Sequence, residues 1–169
     1  MGMTSFFKEA GQKLFGHKDT EATALAAQAA PDDATLQANT ATANQTAGTA
    51  IETYIAAQQL EANGLRVEFD GATSTTTVMG EAADQATKEK ILLCCGNVHG
   101  VAGVNDMMTV TEAAAESQYY TVESGNTLSG ISKQFYGTPN QYMKIFEANT
   151  PMLGHPDKIY PGQLLRVPA

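Results

Sequence analysis

Between Phe15 and Tyr54 the chain carries no aromatic residue, and Leu25 and Leu36 are its only large aliphatic residues before Ile51. Burying a large apolar side chain is worth roughly 1.5–3 kcal/mol, and ordering each residue costs roughly 1–2 kcal/mol of backbone entropy. A stretch of Ala, Thr, Gln and Asn such as Ala38-Asn39-Thr40-Ala41-Thr42-Ala43-Asn44-Gln45 offers little of the first. Residues 17–50 therefore read as a flexible linker, with a transient helix as the alternative that their alanines leave open. A core of large residues is expected from Ile51 onward. The 169 residues make one ordinary domain or two small ones.

On the near side of this gap lies Ser5-Phe6-Phe7-Lys8-Glu9-Ala10-Gly11-Gln12-Lys13-Leu14-Phe15-Gly16. Phe7, Leu14 and Phe15 fall near one face at helical spacing, with Ser5 as an N-cap and Gly16 as a stop. So short an amphipathic segment is unstable alone, so residues 1–16 are expected to be an arm that docks on a folded unit.

Beyond the gap two patterns follow each other. Ile51, Tyr54, Ile55 and Leu60 suit a helix ending near Asn63-Gly64. Leu65–Asp70 alternates apolar and polar residues, and Thr75–Met79 supplies a second strand after a turn at Asp70-Gly71. Asp84 is placed to cap a helix that runs through Ile91 and Leu92 to Gly96, and Val104–Val110 is a third strand. After a polar connector at 113–118, Tyr120-Thr121-Val122 is a strand and Asn126 is placed to cap a helix closed by Gly137. Thr138-Pro139 opens another helix, and Gln163–Val167 returns as a strand. The expected fold class is α+β: a helix–sheet unit over 51–112 and a β-α-α-β unit over 119–169.

Charge and composition narrow the partners. The formal net charge is −8, and residues 50–116 carry ten acids against three bases. That balance argues against nucleic acid or an anionic membrane surface, which both select clustered Lys and Arg. No apolar run approaches the roughly 18 residues of a membrane span, and Lys8 and Glu9 interrupt any secretory-type start. A cytoplasmic, monomeric protein is expected. Cys94 and Cys95 are adjacent, so they build no disulfide framework. Cys95 and His99 lack the further ligands of a zinc set. His17, His99 and His155 stand apart from any nucleophile, so no enzyme is expected.

The last unit resembles a LysM domain. The likeness runs from Tyr120-x-Val122-x-x-Gly125-Asn126-Thr127-Leu128-x-x-Ile131-Ser132 through Phe135-Tyr136-Gly137 and Ile145-Phe146-Glu147-Ala148-Asn149. It ends in Ile159-Tyr160-Pro161-Gly162-Gln163-Leu164-x-x-Val167-Pro168. The resemblance implies a groove for glycans containing N-acetylglucosamine, at Gly125, Asn126, Thr127, Asn149, Ile159 and Tyr160. Asn126 stands where many members carry Asp. The same residues also make turns and cap helices, and a cytoplasmic protein would not meet the cell-wall polymer. The middle unit resembles a BON domain, helices on a mixed three-stranded sheet, through Val67-x-Phe69, Thr77-Val78-Met79-Gly80, Lys88-x-x-x-Leu92 and Gly100-Val101-Ala102-Gly103-Val104-Asn105.

Together with the start Phe7-Lys8-Glu9-Ala10-Gly11-Gln12-Lys13-Leu14-Phe15, this layout is similar to that of the small bacterial potassium-binding proteins. Gly96-Asn97-Val98-His99-Gly100-Val101 and Lys144–Leu153 also match them. The resemblance implies a potassium ion held by the backbone carbonyls of Phe7, Ala10, Gly96, Val98 and Val101, in a sensor or buffer that compacts on binding. The chemistry agrees: a large, weakly hydrated cation suits neutral carbonyl oxygens, and a helix C-terminus offers carbonyls lacking intrahelical partners at the negative end of its dipole. From spacing alone, Gly96 and Gly100 simply end a helix and shape a loop. The alternative function is a glycan-binding LysM module with the middle unit as adaptor, its partner a glycan fragment rather than K+.

Overall fold

The computed structural model describes residues 13–169. Phe7, Ala10 and the proposed cap Ser5 lie outside the described residues. The first departure from expectation is the segment read as a linker. It holds two helices, α1 (His17–Ala29) and α2 (Ala34–Ala57), packed as a hairpin. Small residues let the helices approach: Ala24 and Ala27 are buried. The polar residues then bond across the gap. Gln37 Nε2 donates to the Ala27 carbonyl at 3.0 Å and Thr40 Oγ1 to the Thr23 carbonyl at 2.9 Å. Asp33 caps α2, accepting from the amides of Thr35 and Leu36 at 2.9 and 3.2 Å. Gly16, expected to stop a helix, precedes the first turn of α1 instead.

The helix expected from Ile51 to Gly64 is thus the last third of α2, and it ends at Ala57. α2 lies along β1 (Asn63–Asp70), the edge strand of a three-stranded sheet ordered β1-β2-β3. Its fit there depends on one glycine: a Cβ on Gly48 would stand 2.3 Å from the Val67 carbonyl oxygen. Glu52 accepts from the Val67 amide at 2.7 Å and Asn44 from the Gly71 amide at 3.1 Å. Side chains thereby pair edge groups that would otherwise be open to another strand.

β1 pairs antiparallel with β2 (Thr75–Asp84), and β2 parallel with β3 (Gly103–Glu112), giving the expected mixed sheet. α3 (Gln85–Gly96) crosses between the two parallel strands. Ile51, Ile55, Val67, Phe69, Val78, Ile91, Cys95 and Val98 form the core of this unit, and Leu14 and Phe15 pack on it. The Phe15 and Phe69 rings lie 4.8 Å apart.

The second unit has β4 (Gln118–Thr121), α4 (Leu128–Tyr136), a 3-10 turn at Pro139–Gln141, α5 (Tyr142–Ala148) and β5 (Leu164–Val167). β4 and β5 pair antiparallel over a core of Val122, Leu128, Ile131, Ile145, Leu153 and Leu165. Gly137 closes α4 in the left-handed conformation at φ 73°, and Thr138 caps the 3-10 turn that Pro139 opens. The cap of α4 is Thr127, which accepts from the Gly130 amide at 3.1 Å, not Asn126. Asn126 Oδ1 instead accepts from the Tyr120 hydroxyl and the Glu123 amide, at 2.8 and 2.9 Å, which holds the preceding turn. The α+β class stands in both units.

Candidate functional site

α3 begins where the sequence places it. Asp84 accepts from the Thr87 amide at 2.7 Å and from the Thr87 hydroxyl at 3.1 Å. Its C-terminal half is apolar all round, with Ile91 to Cys95 all buried, so this helix is enclosed by both units. Burial pushes the Cys94 thiol up to about 12 and raises Cys95 further, which keeps both protonated and inert. The Cys94 thiol lies 3.1 Å from Met152 Sδ of the second unit.

Gly96 is the last helical residue, and Asn97 is the C-cap. The Asn97 amide donates back to the carbonyls of Leu93 and Cys94, at 3.1 and 3.2 Å, and the Val98 amide to that of Cys95 at 3.2 Å. The loop then folds on itself, with the Val101 amide 3.2 Å from the Val98 carbonyl oxygen. Gly100 sits at φ 88°, a conformation that L side chains rarely adopt; Gly96 remains helical. Val98 is fully buried and Val101 nearly so. Gly96, Val98 and Val101 thus share one enclosed loop at a helix C-terminus. Among the described residues, no group of three or more His, Cys, Asp or Glu side chains is arranged to hold a metal ion.

The joint between the units is built on α3 and β5, from residues that sequence reasoning did not single out. Glu89 is 2 % exposed. One of its oxygens accepts from Gln85 Nε2 and the Ser117 amide, both at 2.8 Å, and the other from Arg166 Nε at 2.5 Å. Burial pushes this carboxyl up, but the hydrogen bonds from Gln85, Ser117 and Arg166 outweigh it and hold the pKa below its ordinary value. Two turns beyond, Asn97 reaches the same strand. Its Nδ2 donates to the carbonyls of Leu93 and Leu164 at 3.1 and 2.9 Å, and its Oδ1 accepts from the Leu164 amide at 2.9 Å. No side-chain pattern advertises this contact, because the partner is a peptide group.

The residues expected to line a glycan groove differ in exposure. Asn149 is 1 % exposed. Its Nδ2 donates to the carbonyls of Ile145 and Arg166 at 2.7 and 2.8 Å, and its Oδ1 accepts from the Arg166 amide at 2.8 Å. Ile159 packs on the core of the second unit. Tyr160 is half-buried, its amide donates to Gln163 Oε1 at 3.1 Å, and burial pushes its hydroxyl up. Gly125, at φ 85°, and Thr127 are exposed, and Asn126 is half-buried in its turn.

The fold is a two-stranded β-α-α-β unit docked on a helix–sheet unit, with the loop after α3 close to the seam. The LysM domain family matches residues 120–168. Along its whole length the chain is similar to the potassium binding protein Kbp of Escherichia coli O6:H1, with 41% identity over 172 residues covering 99% of each chain, and it belongs to that protein's family. An uncharacterized protein of Deinococcus radiodurans is 37% identical over 82 residues, which cover 42% of this chain and 32% of that one.

Proposed function

We propose that this protein binds potassium through backbone carbonyls, those of Gly96, Val98 and Val101 in the loop after α3 and those of Phe7 and Ala10 in the N-terminal arm. The observation that carries the reading is the end-to-end similarity to a potassium binding protein, with the loop's own chemistry in agreement. The loop is enclosed, stands at the negative end of α3, and contains a glycine in the left-handed region. A cage of neutral oxygens suits K+ better than Ca2+, which selects carboxylates. The docking of Leu14 and Phe15 on the first core brings the end of the arm to this unit. An ion that bridges arm and loop favours the closed state over the open one, which is the compaction a cytoplasmic sensor or buffer needs. The monomer supplies every proposed ligand, and no catalytic step is part of the reading.

Melting the protein in KCl and in NaCl at equal ionic strength tests it. A rise specific to KCl is expected, and deleting residues 1–16 should abolish it. An undiminished response would remove the arm from the site.

The LysM match supports a second reading, glycan binding at the groove. The burial of Asn149, whose amide group is bonded within the unit, weighs against it. Titration with chitin oligosaccharides discriminates the two: the potassium reading expects no saturable shift.

A further inference from the structure

Asn97 stands between two of the proposed carbonyl ligands, and its side chain is tied to the other unit. The Gly96 carbonyl and the Asn97 amide belong to one planar peptide, so fixing one group fixes the direction of the other. The Asn97 amide points back along α3 to the Leu93 and Cys94 carbonyls, and the Gly96 carbonyl is therefore aimed forward, off the helix end. Its side chain adds a second hold, clamped on both the amide and the carbonyl of Leu164 at 2.9 Å.

The same device recurs in Asn149. Each asparagine is the C-cap of its helix, and each donates to the carbonyl four residues earlier. Each also pairs the N–H and the C=O of one β5 residue, Leu164 for Asn97 and Arg166 for Asn149. Leu164 and Arg166 are alternate residues, so both turn their peptide groups to the edge of β5 that β4 leaves open. Asn149 fills that edge from within the LysM unit; Asn97 fills it from the end of α3.

We propose that Asn97 is a positioning residue that couples docking of the LysM unit to cation affinity at the loop. This rests on the potassium reading above. LysM docking pins the Asn97 peptide, and the pinned peptide presents the Gly96 carbonyl to the ion. By reciprocity, bound K+ tightens the clamp on Leu164.

The full chain is titrated with KCl against NaCl at constant ionic strength. Asn97→Ala should raise the KCl concentration at half-response by about tenfold, within the usual range of coupling between sites. Asp33→Ala, which removes a helix cap remote from the loop, should leave that midpoint in place although it also lowers stability. The second measurement needs no variant: exchange of the Leu164 amide hydrogen in the wild type should slow in KCl and not in NaCl. A responsive wild type with an unmoved Asn97→Ala midpoint, or with Leu164 exchange equal in the two salts, overturns the inference and spares the potassium reading. A wild type that does not distinguish the salts defeats both.

Discussion

Asn149 and Asn97 perform one operation on one strand, but they stand in different surroundings. Asn149 binds the peptide of Arg166 inside the LysM unit, where both residues are buried. Asn97 binds the peptide of Leu164, a half-buried residue, from across the seam. The first contact holds a unit together and the second joins two units. A buried peptide has no replacement partner when its asparagine is lost, whereas a half-buried one recovers part of its bonding from water. The same chemistry therefore serves as scaffold in one place and as a yielding joint in the other.

The charged half of the seam should show the largest effect. Glu89→Ala leaves Arg166 buried without its carboxylate, and a loss of about 3–5 kcal/mol is expected from urea denaturation. The pH dependence has a definite sign. The folded Glu89 pKa lies below its ordinary 4.5, so its stabilisation is complete above that value and fades as pH falls through the folded pKa. Glu89→Gln should flatten the acid limb of the stability profile; an unchanged limb would move the acid sensitivity elsewhere.

Asn149→Ala comes next, at about 3 kcal/mol, because it strands a buried amide and a buried carbonyl at Arg166. Asn97→Ala should cost less, about 1–2 kcal/mol. Equal losses at the two positions would erase the distinction between scaffold and joint. The smallest effect belongs to the exposed pair Arg66–Glu68, where Arg66→Ala should change the unfolding free energy from urea denaturation by less than about 1 kcal/mol.

How much of this the sequence discloses depends on where the bonds go. The LysM unit was legible because its turns demand particular residues: Gly137 in the left-handed region, Pro139 after a capping threonine. The sheet and α3 were legible from alternation and from Asp84. Residues 17–50 look like a linker only when large side chains are the measure of a core. Ala24 and Ala27 bury little area each, yet they allow the close approach that brings Gln37 and Thr40 onto a neighbouring helix's carbonyls, as Gly48 lets α2 approach β1. Of the loop, the glycines were visible and the tether was not: Asn97 reads as an ordinary loop residue and Asn149 as part of a glycan groove, since the groups they bind are backbone groups distant in sequence.

Potassium recognition by the α3 loop and the N-terminal arm is the central claim, and its most direct measurement is the melting temperature across a KCl series, with NaCl at matched ionic strength as the reference. Once the site fills, each further tenfold of KCl should add about 1.4 kcal/mol of stability, so the melting temperature should climb with the logarithm of concentration. The NaCl series should stay flat by comparison. Superimposable curves in the two salts would contradict the account.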